Sequence, residues 1–544
     1  MQRISTFAVA LWAGLVATGC SDLLNEDPHG FTTTGTFFQT GADLNSGTIA
    51  IYNALRGLQG QAPWTTLELA SDQARADNRE PNAGTYGPDR LDYDASTGLT
   101  GGYWTTMYTV ITRANLVLAK GPGIEAGNAQ TKTYNLAEAK FLRGYAYFWL
   151  TKVYDGVPLL RTPEEQANPR PVRTPTEQVH QAIIQDLTDA EADLPATWAS
   201  SDGYGNATQG RATKAAAQMA LADLYLWRSS YLGTNEWQQA SDWAKKVIDS
   251  GLWSLQPNYL STFLPRNKGN KEMIFMITNS GVTTNARSLF QLFYYPRDWG
   301  LDQGQGGGWG LIHPTDWFFN SYVAGDYRRG ADTGFAATSA YVWGGCGVSG
   351  LCPTWTDSVT HVVRHDTLAD GPMPYKYHKT DNGSNWTLND VDTPLYRYAE
   401  AILIYAEAQN ELGTSATAIT YLNMIRARAR QGTGAESRAE PHDYTAAELP
   451  DQAAVRDAIF MERMWEFAFE AKRWFDLVRR DSETGQSGYW ANSLTTHDPN
   501  ANLGGNVVGF RKRFPIPQGQ INANPSLCQN AGYGGTTCPA GIQP

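Results

Sequence analysis

From Leu136 to Tyr154 the chain keeps helical period with no proline and a single glycine, Gly144. Apolar residues recur at Leu136, Ala139, Leu142, Ala146, Trp149 and Val153, and Phe141, Tyr145 and Phe148 widen the stripe. An apolar arc of that width belongs to a strongly buried helix, so the chain must supply other helices to cover it. Asp155-Gly156-Val157-Pro158 ends the segment, because glycine accepts the left-handed cap conformation and proline cannot continue a helix. A second helix opens at Thr174-Pro175-Thr176-Glu177 and carries Val179, Ile183, Leu187, Ala190 and Leu194 at three- and four-residue steps until Pro195.

Further helical patterns come in pairs. Thr213 to Tyr231 and Glu236 to Ser250 are joined by Leu232-Gly233-Thr234-Asn235, with small residues Ala216, Ala220 and Ala222 facing large ones such as Leu224, Tyr225, Trp237 and Trp243. Small residues let two helices approach and aromatics fill the gaps between neighbouring pairs, as in a tetratricopeptide-type hairpin. The pattern returns at Tyr396 to Leu412 and Ala416 to Arg430, and a last long helix is expected from about Ala453 to Arg480. These repeats are degenerate and far apart, so the fold class is mainly α, built from helical hairpins interrupted by long insertions. Between Pro257 and Pro394 the period fades into glycine runs, such as 303–308, interleaved with aromatics. A stretch this long folds as its own subregion in a compact protein. It is read as an irregular, aromatic-rich insertion with a few short strands, one of them within Glu272 to Ile277.

The net charge of -11 disfavours a nucleic-acid partner, which is gripped by clustered cations. With 18 Trp, 27 Tyr and 53 Gly but only 18% charged residues, the chain suits a sugar ligand better than an ion. Beyond the first 20 residues no stretch approaches the roughly 18 apolar residues of a spanning helix. Arg3 followed by the apolar run Phe7 to Val16 reads as a signal peptide, and Ala17-Thr18-Gly19-Cys20 resembles a lipobox, with Ala17 where leucine is preferred. Cys20 is the expected lipidation site; the alternative is an ordinary secretory signal with an incidental cysteine. In an exported, oxidising setting Cys346 with Cys352, and Cys528 with Cys538, are disulfide candidates. A four-cysteine metal site lacks the usual spacing and a supporting histidine, and no metal or other cofactor is expected.

The chain resembles the SusD/RagB family of bacterial outer-membrane lipoproteins. The resemblance rests on Cys20-Ser21-Asp22-Leu23-Leu24, on Trp104-Thr105-Thr106-Met107-Tyr108 leading to Arg113-Ala114-Asn115, and on the segment Ala137 to Phe148 followed by Tyr154 to Leu159. It continues through Gly210-Arg211-Ala212-Thr213-Lys214, Glu462-Arg463 with Glu466 to Glu470, Arg473 to Leu477, Phe514-Pro515-Ile516-Pro517 and Asn524 to Tyr533. It implies about four tetratricopeptide-like hairpins with the irregular parts forming the ligand face. It also implies a protein on the outer membrane, exposed at the cell surface, that delivers glycans or related nutrients to a TonB-dependent, SusC-like transporter. The chain then divides into a signal peptide (1–19), a lipid-anchored tether (20–35), an N-terminal helical part (36–256), the ligand-binding insertion (257–394), C-terminal hairpins (395–480) and an irregular C-terminal region (481–544).

No H-E-x-x-H helix, phosphate loop or G-x-S-x-G elbow is present. His361 and His365 fall in a strand-like run, where four-apart residues lie about 13 Å from each other, too far to share a metal. Asp381-Asn382-Gly383 and Asp390-Val391-Asp392 offer oxygen ligands without calcium-loop spacing and read as turns. The expected protein is non-catalytic. One alternative is an all-helical glycoside hydrolase with a carboxylate pair drawn from Asp298, Asp302, Asp316 and Asp326. Another is a helical-repeat scaffold for protein partners. For a glycan, indole and phenol rings supply the stacking surface and polar side chains the directional bonds. Tyr294, Trp299, Trp309 and Trp343 are the candidate stacking residues, with Asp77, Asn78 and Arg328 as polar partners. Core packing competes for each aromatic, and Trp317 and the charges Arg143 and Arg473, the latter beside Asp476, are read as structural.

Overall fold

The long apolar stripe forms one helix, longer than its period announces, because Asn128 caps it a full two turns upstream by accepting bonds from Gln130 N and Thr131 N. The computed structural model describes residues 37–76, 83–98, 100–125, 127–198, 210–280, 287–294, 309–329, 341–343, 354–356, 363–365, 372–374, 376–377, 389–432, 437–482, 487–498, 503–536, 538–539 and 541–542. The expected signal peptide and Cys20 lie outside these residues. The helices that matter below are α1 (Gly41–Leu55), α2 (Gln61–Leu69), α3 (Gly101–Lys120), α4 (Ala129–Tyr154), α5 (Thr176–Asp193), α6 (Lys214–Tyr231) and α7 (Trp237–Asp249). After them come α8 (Phe290–Tyr294), α9 (Asp316–Ser321), α10 (Tyr398–Glu411), α11 (Ser415–Ala429), α12 (Gln452–Glu466), α13 (Arg473–Ser482) and α14 (Tyr489–His497).

Each long helix packs on the next in a row: α1 on α3, α3 on α4, α4 on α5, α5 on α6, α6 on α7, α7 on α10 and α10 on α11. This is the mainly α hairpin architecture expected from the paired periods. Gly144 explains how α4 and α5 come so close, since a Cβ there would stand 3.1 Å from Leu187 and 3.3 Å from Asp186 Cβ. On α6 the small residues Ala215, Ala216, Ala217, Ala220 and Ala222 are all buried. Arg143 is paired inside this stack with Asp186, Nε to Oδ2 at 2.8 Å.

Two helix ends differ from expectation. At the end of α4 it is Asp155, with φ 63° and ψ -132°, and not the glycine, that takes a positive φ. Gly156 serves a different need: a Cβ there would lie 2.4 Å from Thr174 O and 2.9 Å from Ile542 O, so only glycine lets these backbones meet. The expected long C-terminal helix is two, α12 and α13, broken across Phe467–Lys472 with Phe469 (φ 60°) and Ala471 (φ 55°) left-handed. No glycine or proline marks that break; tertiary partners hold it. Lys376 Nζ donates to Ala468 O at 2.6 Å, Tyr377 OH donates to Phe469 O at 2.7 Å, and Ala471 N donates to Glu68 Oε1 at 2.6 Å.

The strands are short and paired in twos: β1 (Ala74–Ala76) with β3 (Ile312–Pro314), β2 (Met273–Ile277) with β8 (Thr393–Arg397), β4 (Tyr341–Trp343) with β7 (Pro372–Pro374) and β5 (Thr354–Thr356) with β6 (Val363–His365), all antiparallel. The β2–β8 pair joins the entry and exit of the insertion. A buried ion network then fixes the insertion to the helices. Arg397 donates to Glu272 Oε1 at 2.6 Å, Glu466 Oε1 at 2.8 Å and Glu470 Oε2 at 2.9 Å. Arg428 adds bonds to Glu272 and Glu466, and Lys376 one to Glu470 at 2.7 Å. Three guanidiniums around Glu466 outweigh the cost of its burial and hold its carboxyl down at about 2. Arg473 is buried and ion-paired, but with Asp72 at 2.7 Å; Asp476 instead takes Arg463 and Arg479.

In the C-terminal region Cys528 and Cys538 are joined by a disulfide, as their spacing led one to expect. The other candidate bond does not share that support. Cys346 and Cys352 both lie outside the described residues, so the pairing of Cys352 with Cys346 stays a proposal.

Candidate functional site

An exposed indole, that of Trp309, stands 42% exposed at the edge of the insertion. Its position is set from the backbone outward. Trp309 N donates to Leu292 O at 2.5 Å and Leu311 N donates to Phe293 O at 2.7 Å, so residues 309–311 run along the end of α8. The Trp309 ring rests against Phe293 with centroids 5.7 Å apart. Three residues further, Ile312 of β3 faces Ala76 of β1, and Thr315 anchors the strand by donating from N to Gln73 O and from Oγ1 to Asp72 O. Asp72 is itself fixed by the bidentate Arg473 and by Ser493 Oγ at 2.7 Å. The indole therefore stands on a base whose every layer is bonded to the helical body, which limits the entropy lost when a ligand settles on it.

Beneath that base, α8 turns its aromatic face inward. Phe290, Phe293 and Tyr294 are fully buried, the phenol of Tyr294 accepts a 3.0 Å bond from Trp64 Nε1, and its ring stacks on Tyr377 at 5.6 Å. Tyr294 thus offers no surface to a ligand, and its expected stacking role is corrected to core packing. The spacing 290, 293, 294 is a helical stripe, the signal that could have assigned it to the interior. Arg328 requires the same correction. It is fully buried and donates to Asp326 Oδ2 at 2.7 Å and Glu462 Oε1 at 2.6 Å, joining the ion network. The neighbouring Asp326, two residues away, was its available local clue.

Asp77, Asn78 and Trp299 lie outside the described residues, as do Asp298 and Asp302. The backbone nevertheless delivers the chain before Asp77 to the site, because β1 ends at Ala76 opposite Ile312. Trp343 is in β4, opposite Pro372 of β7, and β7 lies against β3. Trp317 is half-buried and stacks on the His497 ring at 3.4 Å. Of the other carboxylates weighed for catalysis, Asp326 is spent on Arg328 and Asp316 is exposed in the first turn of α9. Asp392 accepts from Lys268 Nζ at 2.9 Å and Asn279 N at 2.8 Å.

One group sequence reasoning missed is Glu68, below the platform. Its carboxylate accepts from Ala471 N and from Gln73 Nε2 at 2.6 Å, yet burial outweighs both bonds and pushes its pKa to about 7. Sealed at 1% exposure, it ties the left-handed turn after α12 to the segment carrying β1 and has no access to a ligand. Among the described residues no cluster of three metal-ligating side chains occurs, and no helix is long and apolar enough to cross a membrane. The arrangement can hold a flat apolar face against Trp309.

A model described as the SusD family matches residues 271–533, and one described as starch-binding, associating with outer membrane, matches residues 26–226. The chain is 28% identical over 544 residues to SusD-like protein P2 of Formosa agariphila, across 97% of this chain and 99% of that one. It is 28% identical over 465 residues to the starch-binding protein SusD of Bacteroides thetaiotaomicron, across 78% of this chain and 76% of the other. In fold it is similar to the crystal structure of a SusD superfamily protein from Parabacteroides distasonis, with TM-score 0.70 and 24% identity over 90% of this chain and 99% of that one.

Proposed function

We propose that this chain, which belongs to the SusD/RagB family of outer-membrane-associated proteins, captures oligosaccharide on the face built around Trp309 and releases it unchanged. The observation that carries this reading is the exposed indole on a base bonded to the helical body. A pyranose presents a face of C–H groups that packs on an indole, and a ring already fixed in place gives up little entropy on contact. The starch-binding name of the Bacteroides relative supports a glycan as the ligand class. Asp77, Asn78, Trp299 and Trp343 remain proposed neighbours of Trp309, since the chain leaves β1 toward the first two and β4 joins the strands beside β3. A bond between Cys346 and Cys352 would close a short loop just after Trp343. Lipidation at Cys20 would hold the protein to the outer membrane at the cell surface, and a SusC-like, TonB-dependent transporter is the proposed recipient of the sugar.

The test is electrophoresis of the purified protein through gels containing starch and a panel of other polysaccharides, with reducing ends assayed in parallel. Retardation in at least one gel without release of reducing ends is the expected result. Mobility unchanged in every gel would remove the glycan reading, and release of reducing ends would replace binding with hydrolysis.

A further inference from the structure

A cavity of about 510 Å³ opens between α1 and the end of β2, and shares no residue with the Trp309 platform. Its size falls within the roughly 300–1,000 Å³ typical of small-molecule sites. Leu55, Met276 and Ile277 give it a buried apolar floor, and Ile49, 49% exposed, stands at its rim. Gly210 (φ 84°) forms part of the wall, where a Cβ would stand 2.5 Å from Thr278 Cγ2.

The charge of the lining is one-sided. Arg56, Arg211 and Lys268 line the cavity, and among the described residues no carboxylate does. Two of these cations are answered by carboxylates outside the lining: Arg211 by Glu138, with Nε to Oε2 at 3.0 Å, and Lys268 by Asp392 at 2.9 Å. Arg56 is held differently. Its guanidinium donates to Thr278 O at 2.6 Å and to Asn279 Oδ1 and Arg287 O, each at 3.1 Å, all of them neutral acceptors. Those bonds fix the planar fork in space without neutralising it. Asp392, the carboxylate whose field reaches Arg56, accepts hydrogen bonds from Lys268 Nζ and Asn279 N. A guanidinium held in place beside an apolar floor suits a carboxylate attached to a ring-sized body, because the ring covers the floor while the anion meets the N–H groups these bonds leave over, one on Nη1 and that of Nε. The phenol of Tyr52 is already spent on Glu138 at 2.6 Å, whereas Asn53 is exposed in the lining and available to a ligand hydroxyl.

We infer that this cavity is a second ligand site, separate from the stacking platform, and that it takes a compact ring-bearing carboxylate of the sugar-acid class. Isothermal titration calorimetry of the purified protein with sodium glucuronate, glucose and sodium sulfate tests it. Glucuronate is expected to bind at least about tenfold more tightly than either control, and Arg56→Gln to weaken it by about tenfold or more, the loss of a charge-assisted pair. Arg56 also holds three neighbouring groups, so Ile49→Glu is the second variant. It sets a carboxylate at the exposed rim without deleting a hydrogen bond, and is expected to weaken glucuronate by a similar factor with an unchanged melting temperature. Absence of glucuronate binding, equal binding of glucose or sulfate, or glucuronate affinity untouched by both substitutions would overturn the assignment.

Discussion

In the helical stack, aromatic rings are sealed: Trp104, Trp149 and Trp227 lie between helices, and Tyr103, Trp149, Trp474 and Phe514 pack ring on ring. At the edge of the insertion the same chemistry is turned outward, and Trp309 keeps 42% of its surface free. The two regions also differ in what secures them. The stack is closed by apolar period and small residues, while the insertion, with little period of its own, is tied down by Arg328, Lys376 and Arg397 on the carboxylates of α12 and the turn after it. The difference teaches that an exposed ring can stand on the buried aromatics of α8 while charged side chains moor the rest of the insertion to the helices.

That contrast can be broken at the mooring. Arg397→Met leaves Glu272, Glu466 and Glu470 with fewer cations in the interior, and a buried carboxylate deprived of its partner costs about 3–5 kcal/mol. Urea unfolding should show this as a large fall in midpoint; a change under about 1 kcal/mol would mean the network does not hold the insertion.

A second test exploits Glu68. Its proton, bound up to about pH 7 in the fold, is released above about 4.5 when the chain unfolds. Over that window the unfolded chain binds fewer protons, so this group's contribution to stability declines as pH rises from 4.5 to 7. Every tenfold difference in proton affinity between the folded and unfolded chain is worth about 1.4 kcal/mol, which makes the whole decline about 3 kcal/mol. Glu68→Gln should remove that slope, so the difference in unfolding free energy between about pH 5 and about pH 7.5 should shrink relative to the parent. Equal slopes in both proteins would show that Glu68 ionises normally.

Tyr294→Phe sharpens the boundary between core and platform. It leaves Trp64 Nε1 without its buried acceptor, a loss of about 1–3 kcal/mol, yet should leave retardation in a polysaccharide gel at the parent value. Loss of retardation with full stability would return Tyr294 to the ligand surface.

The body of the fold was legible because periodicity reports burial directly: the arcs of α4 to α7 and of α10 and α11 predict both the helices and their pairing. The strand at Met273–Ile277 was legible from its composition. What stayed hidden depends on distant partners. The break between α12 and α13 has no local marker, being imposed by Glu68, Lys376 and Tyr377. Arg473 reads as the partner of the nearby Asp476, while its actual partner, Asp72, is 401 positions away. Aromatic content alone could not separate Trp309 from Tyr294, because both rings border the same short helix and only the three-dimensional course of the chain decides which one meets solvent.

The most direct test of the account is Trp309→Ala in a polysaccharide gel that retards the parent protein. Truncating the indole removes about 1–3 kcal/mol of apolar and stacking contact from the complex while touching an edge of the fold. The account predicts that retardation falls by about tenfold or more in apparent affinity, with a melting temperature close to that of the parent. Retardation equal to the parent's, in a variant that folds normally, would contradict it.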